Sequence, residues 1–300
     1  MRLGELSVTE IRTRLAANDL VLRTGPFATR IHSHVPNVAD GLAGLYRDFE
    51  LDSGAFCDFH VRVDRLSGAR RWLRPQINFW YDGHSPFKPL PADHAFALLE
   101  WGLNWCVAGH AHHYLMLHAA ALERNGRAVV LPGDPGAGKS TLTAALMLSG
   151  WRLLSDEITL VDRIDGRLVG LARPVSLKNA SIDVVREAFP DAVIGAPAHD
   201  THKGTVAHLR PTRDSVLRVG EKAAPAWVIF PRWRDGAEAR LSPHSRSDAF
   251  LHTASHAFNY SLLGGLGFEL NAALMDASQC HDFEYSRLDE ALRLFADLAS

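Results

Sequence analysis

Residues 133–140 read Gly133-Asp134-Pro135-Gly136-Ala137-Gly138-Lys139-Ser140, the pattern G-x-x-x-x-G-K-S. These residue types suit a polyphosphate. Glycines let successive backbone N–H groups converge on an anion with no Cβ in the way. Lys139 supplies a point charge for the β and γ phosphates, and a hydroxyl such as that of Ser140 ligates Mg²⁺. An apolar run, Ala128–Leu131, precedes the loop, and helix-forming residues from Ser140 to Leu148 follow it. Strand, loop and helix is the context in which the motif has meaning, because the helix adds its unpaired N-terminal donors and its dipole. The expected phosphate-binding set runs from Gly133 to Ser140 and on to Thr141. The expected cofactors are ATP and Mg²⁺, although no base-reading motif distinguishes ATP from GTP, ADP or pyrophosphate as the donor.

A phosphate cradle names no reaction. The N/T-K-x-D box of guanine readers is missing, and Leu262-Leu263-Gly264-Gly265-Leu266 is not the LSGGQ signature of transporter ATPases. An acidic pair, Asp156-Glu157, comes early, just past the short apolar strand expected at Trp151–Leu154. One carboxylate of such a pair can hold Mg²⁺ while the other accepts a proton from an attacking hydroxyl. Two close carboxylates also push their pKa values apart, which suits that division of labour. The plain alternative is a solvated turn. His118 lies in an apolar stretch, Leu117-His118-Ala119-Ala120-Ala121, where a lone His is more often a satisfied core residue.

As a set, His118, the loop Gly133–Ser140 and Asp156-Glu157 resemble the catalytic domain of HPr kinase/phosphorylase, the P-loop serine kinase of bacterial carbon regulation. That family has a His in a strand, then G-D-S-G-x-G-K-S, a helix, and a strand ending in an Asp-Asp pair. Arg152-Leu153-Leu154-Ser155-Asp156 is similar to its R-L-V-A-D-D. The resemblance covers roughly residues 113–175. It implies that Asp156 is the general base, that Glu157 joins Ser140 at Mg²⁺, that Lys139 stabilises the transferring phosphoryl group and that His118 lies next to Asp156 and tunes it. The family's later E-x-R-G segment has no clear counterpart. Arg173-Pro174-Val175-Ser176-Leu177-Lys178-Asn179 occupies the approximate place, where Lys178 reads equally as a phosphate contact or as a solvated surface residue. The resemblance is therefore to HPr-kinase-related kinases, including those found beside peptide-modification genes. It implies a peptide or small-protein Ser as acceptor.

The fold class expected is α/β: an HPr-kinase-type P-loop kinase domain over residues 109–300, with an α+β accessory region over residues 1–108. In the accessory region, Ser7-Val8-Thr9-Glu10 is a capping box, residues 20–33 read as strands broken at Gly25-Pro26, and Pro36 opens a helix. Residues 55–65 and 76–81 read as strands around a Ser67-Gly68 turn, and Pro91–Ala108 as a helix. Further on, Tyr114–Leu122 reads as one strand turning at Arg124-Asn125-Gly126. Strands Ile158–Val161 and Leu168–Leu171 flank Asp165-Gly166, and Ile182–Ala188 reads as a helix. Ala239–Leu241 is expected to pair with Ala226–Phe230 across Asp235-Gly236. Helices over 247–276, broken at Gly264-Gly265, and over Leu288–Leu298 complete the chain.

A formal net charge of −2 gives no global field toward nucleic acid or membrane. Three widely spaced cysteines argue for a reducing compartment. With neither a signal-peptide pattern nor a long apolar span, a cytoplasmic protein is expected. A homo-oligomer stays open. His110, His112 and His113 lack an acidic partner at ligand spacing and read as a turn. Lys203, Arg210, Arg213 and Arg218 read as a solvated basic run, Arg232 and Arg234 as strand-end cations, and His252, His256 and Asn259 as packing or contact residues. Together the residues read as an ATP-dependent hydroxyl kinase. A P-loop ATPase driving a conformational cycle and a non-catalytic nucleotide sensor are the alternatives.

Overall fold

The computed structural model describes residues 1–66, 75–134 and 136–300. Ser7 starts the first helix, Val8–Ala16. Its hydroxyl accepts from the Glu10 N–H at 3.3 Å, and the Glu10 carboxylate accepts from the Ser7 N–H at 2.8 Å. Strands Leu20–Thr24 and Phe27–His32 form a hairpin, and the sheet continues through Phe59–Arg65 and Gln76–Tyr81 to Leu90–Pro91. The Ser67-Gly68 turn lies outside the described residues. Helix Pro36–Leu45 has Pro36 in its first turn. Helix Ala95–His110 lies on strands Phe59–Arg65 and Gln76–Tyr81. It approaches closely at Gly102, where a Cβ would sit 2.0 Å from the Phe79 ring. The core of this body does not stop at residue 111: Met116, Ile158, Leu160, Leu171 and Val216 pack into the same apolar cluster.

The second body is built on a six-stranded sheet in the order Arg240–Pro243, Gln279–Tyr285, Ala224–Trp233, Arg127–Pro132, Ala119–Arg124, Arg152–Ser155. Strands 279–285, 224–233 and 127–132 are mutually parallel. Strand Ala119–Arg124 runs antiparallel to both 127–132 and 152–155, so those two point the same way. One edge of the sheet therefore collects the C-terminal ends of four strands and the starts of the other two. Open sheets with parallel strands bind ligands outside their carboxyl ends. Asn125 and Gly126 both have positive φ, 55° and 79°, as a tight type I′ hairpin requires. Two smaller three-stranded sheets flank this one: Leu168–Val169, Thr159–Asp162, Tyr114–Leu117; and Val175–Lys178, Gly204–Leu209, Ala198–Thr201.

Two expectations need correction. The stretch Tyr114–Leu122 is two strands in two sheets, Tyr114–Leu117 and Ala119–Arg124, divided at His118. The His118 N–H leaves the ladder and donates to the His256 carbonyl at 3.0 Å. Strand Arg240–Pro243 pairs with Gln279–Tyr285, not with Ala224–Trp233. The turn signal at Asp235-Gly236 is local, whereas the C-terminal strand that intervenes is a non-local partner. No helix among the described residues is long and apolar enough to cross a membrane.

Candidate functional site

The sheet's directions bring the sequence candidates to one edge. Ala119 pairs with Pro132, so His118 sits beside Gly133 where strand 127–132 runs into the loop. Ser155 pairs with Ala121, so Asp156 leaves the same edge one strand further out. Lys139 opens the helix Lys139–Leu148 directly behind the loop.

The loop is left-handed at Gly136 and Gly138, with φ of 90° and 83°. At Gly138 no side chain fits: a Cβ would lie 2.6 Å from the Tyr285 hydroxyl oxygen. That hydroxyl donates to the Gly138 carbonyl at 3.1 Å, and the Trp233 N–H donates to the Ala137 carbonyl at 3.1 Å. The ends of the two neighbouring parallel strands thus brace the loop from outside. Ser140 and Thr141 stand in the first helical turn, half-buried, where backbone N–H groups have no partner within the helix. Pro135 lies outside the described residues. The Asp134 carboxylate is exposed and pairs with His256 Nε2 at 3.2 Å, so this residue offers an anion its backbone rather than its side chain.

Asp156 is buried at 5% exposure. Its Oδ2 accepts from the Ser176 N–H at 2.9 Å, and its Oδ1 is buried with no partner. Burial, reinforced by the neighbouring Glu157 charge, pushes its carboxyl up to about 6. Burial would raise Glu157 too, but Lys178, with Lys139 and Lys203 behind it, outweighs that and holds Glu157 below the usual range. Lys178 Nζ lies 3.4 Å from Glu157 Oε1. The two carboxyls are therefore driven apart: one poised to take a proton, one kept anionic. Burial lowers Lys139, against the pull of Asp156 and Glu157. Burial and then Lys139 lower His118, which favours its neutral ring; Glu157 is the carboxylate whose charge opposes them. Its Nδ1 is buried without a partner, and its ring meets Phe258 edge-on at 5.6 Å.

His118, Asp156 and Glu157 open into a cavity of about 660 Å³, whose opposite wall comes from residues 87–108. A second cavity, of about 610 Å³, is the one the loop itself lines, through Gly133, Asp134, Gly136 and Ala137, together with Arg232 and Trp233. Among the remaining candidates, Lys203 lines the first cavity. Arg218 is tied to Glu123, Asp214 and Glu221, and Arg234 to Glu284. His110 stacks on Tyr81, while His113 packs against Phe27 and Tyr114. The described residues place the potential metal-ligating groups elsewhere, at His32, His34 and Asp64 and at Asp134, His252 and His256. Asn259 ties its segment to the strand before His118, accepting from the Met116 N–H and donating to the Tyr114 carbonyl.

Sequence reasoning missed a buried polar assembly beside the site. The Arg173 guanidinium donates to the Glu100 carboxylate at 2.8 Å, the Glu100 carbonyl at 2.9 Å and the Asn104 side chain at 3.0 Å. The Tyr46 hydroxyl donates to the other Glu100 oxygen at 2.6 Å. The signal was present: a Glu inside the apolar run Leu98-Leu99-Glu100-Trp101 needs a buried cation.

No protein-family model matches the chain, and no curated protein matches it. Among solved structures, it is similar to an HPr(Ser) kinase/phosphatase from Coxiella burnetii at 14% identity and a TM-score of 0.25, over 61% of this chain and 96% of that one. A superposition at that level carries no functional argument, so the function has to be argued from the side chains themselves.

Proposed function

We propose that this chain is a phosphotransferase of the HPr-kinase-related type, moving the γ-phosphoryl group of ATP to a hydroxyl, with a Ser of a peptide or small protein as the expected acceptor. The observation that carries this reading is Asp156: a buried carboxyl raised to about 6, with one oxygen unpartnered, on the same sheet edge as the glycine-rich loop and facing a cavity. Most buried structural carboxylates have both oxygens hydrogen-bonded.

In the transfer step the acceptor oxygen forms a bond to the γ-phosphorus as the bond from that phosphorus to the β–γ bridging oxygen breaks. ADP leaves, and the hydroxyl proton passes to Asp156 Oδ1. Lys139 and the loop backbone hold the polyphosphate. Ser140 and the anionic Glu157 are hard oxygen donors suited to Mg²⁺, which would neutralise phosphate charge when bound. Catalysis of this kind is positioning and charge stabilisation.

The test is transfer from γ-labelled ATP with Mg²⁺ in desalted host extract, resolved into protein, peptide and small-molecule fractions. A labelled acceptor species is expected with wild type. Lys139→Ala should lower the transfer rate about 10²- to 10³-fold, as for one lost transition-state donor. Free phosphate alone would replace this reading with a hydrolase, and nucleotide binding without turnover would replace it with a sensor.

A further inference from the structure

We propose that residues 87–108 form the acceptor-binding wall of the site, and that the acceptor carries its hydroxyl next to a bulky apolar group of phenyl size or larger. The inference rests on the phosphotransfer reading for which hydroxyl reacts, but not for what the cavity accepts.

The 660 Å³ cavity has two chemically different walls. The catalytic side carries His118, Ser155, Asp156, Glu157 and Ser176. The opposite side presents Phe87, Leu90, Leu98, Trp101, Trp105 and Ala108. Of the other polar side chains of helix Ala95–His110 that border the cavity, Glu100 has both oxygens engaged by Arg173 and Tyr46, and Asn104 has its oxygen engaged by Arg173, which leaves the Asn104 amide N–H groups as the polar donors of that helix. Lys88 is an exposed residue of the lining. His202, Lys203 and His208 also border the cavity, but Ile158, Leu171 and Phe258 extend its apolar surface, and a polyol or sugar filling it would leave hydroxyls unpaired against the aromatic wall, which is costly. An apolar group would fill it, and a volume near 660 Å³ is in the range of sites that enclose a ligand. The same Arg173 that engages Glu100 and the Asn104 oxygen also fixes the wall. It precedes Pro174, Val175 and Ser176, whose N–H holds Asp156. Aromatic wall and buried base are thus tied through a few residues, so an apolar group lodged against Trp101 and Trp105 shares its cavity with Asp156. None of the described residues of the glycine-rich loop lines this cavity.

The experiment uses two probe pairs and the full chain. N-acetyl-Phe-Ser-amide is compared with N-acetyl-Gly-Ser-amide, and 2-phenylethanol with glycerol. Binding is read by calorimetry in the presence of ADP and Mg²⁺, and transfer from γ-labelled ATP is read separately. The phenyl member of each pair should bind about 10- to 100-fold more tightly, as expected for burying one such group. Which pair shows the greater preference tells a peptide acceptor from a free small molecule. Ala108→Trp, which fills the cavity from the helix, should weaken phenyl-probe binding at least tenfold, and Trp105→Ala should do so by a smaller factor. Nucleotide affinity, measured on the same samples, reports whether either variant is misfolded. Equal binding of both members of each pair, or preference for glycerol and Gly-Ser, overturns the proposal whatever the transfer result. Phenyl-selective binding lost in Ala108→Trp, but with no labelled product, upholds the cavity's selectivity and removes the phosphotransfer reading instead.

Discussion

Asp156→Asn is expected to bind nucleotide as wild type does and to transfer phosphate about 10²- to 10⁴-fold more slowly, the loss typical of a removed general base. The amide keeps the shape and can still accept the Ser176 N–H bond, so the loss should be chemical rather than structural. The wild-type pH profile should carry the same signature. The base works deprotonated, and its carboxyl is raised to about 6, so turnover should rise with pH up to that point and then level. Asp156→Asn should lack that limb. Stability should move the opposite way. A carboxyl whose folded value lies above its unfolded value near 3.8 contributes stability fully below that unfolded value. The contribution is lost as pH rises through about 6. At pH 8 the folded chain therefore bears a buried charge that the variant lacks. Asp156→Asn without nucleotide should be more stable there, by on the order of 3 kcal/mol, and the gain should vanish near pH 4. Full transfer activity in the variant would remove Asp156 from the mechanism.

Glu100→Ala is expected to destabilise the protein by about 3–5 kcal/mol, because it strands a buried guanidinium. Arg173 is only 7% exposed and its partner 3%, so water cannot replace the carboxylate. The Tyr46 hydroxyl would lose its acceptor as well. For a chain of this size the melting temperature should fall by roughly 6 °C or more. The double change Glu100→Leu with Arg173→Met should recover most of that loss, since an apolar pair of similar volume avoids the desolvation cost. If Glu100→Ala melted with wild type, the ion pair would not be what fixes helix Ala95–His110 beside the site.

Much of the local structure was legible because its causes are local. The Ser7–Glu10 box, the Pro36 start and the Asn125-Gly126 turn each depend on a few neighbouring residues, and each forms where expected. The glycine-rich loop was legible for the same reason: Gly136 and Gly138 hold backbone angles that glycine adopts readily and other residues do not. The break at His118 was not legible. Leu115-Met116-Leu117 and Ala119-Ala120-Ala121 look like one apolar run, and only the His256 carbonyl, far along the chain, draws the His118 N–H out of the ladder. The pairing of Arg240–Pro243 failed in the same way, through the distant strand Gln279–Tyr285.

The sequence by itself determined the site's chemical types: a phosphate-shaped loop, one lysine, two carboxylates and a histidine. Side-chain chemistry and short spacings are properties of the chain. Tertiary structure decided what each group does. Strand direction put His118, Gly133 and Asp156 on one edge of the sheet. Burial raised Asp156, while Lys178 kept Glu157 charged. Packing placed an aromatic wall from residues 87–108 across the cavity from them. Those effects come from solvent exclusion and from charges brought close by folding, neither of which a linear spacing encodes.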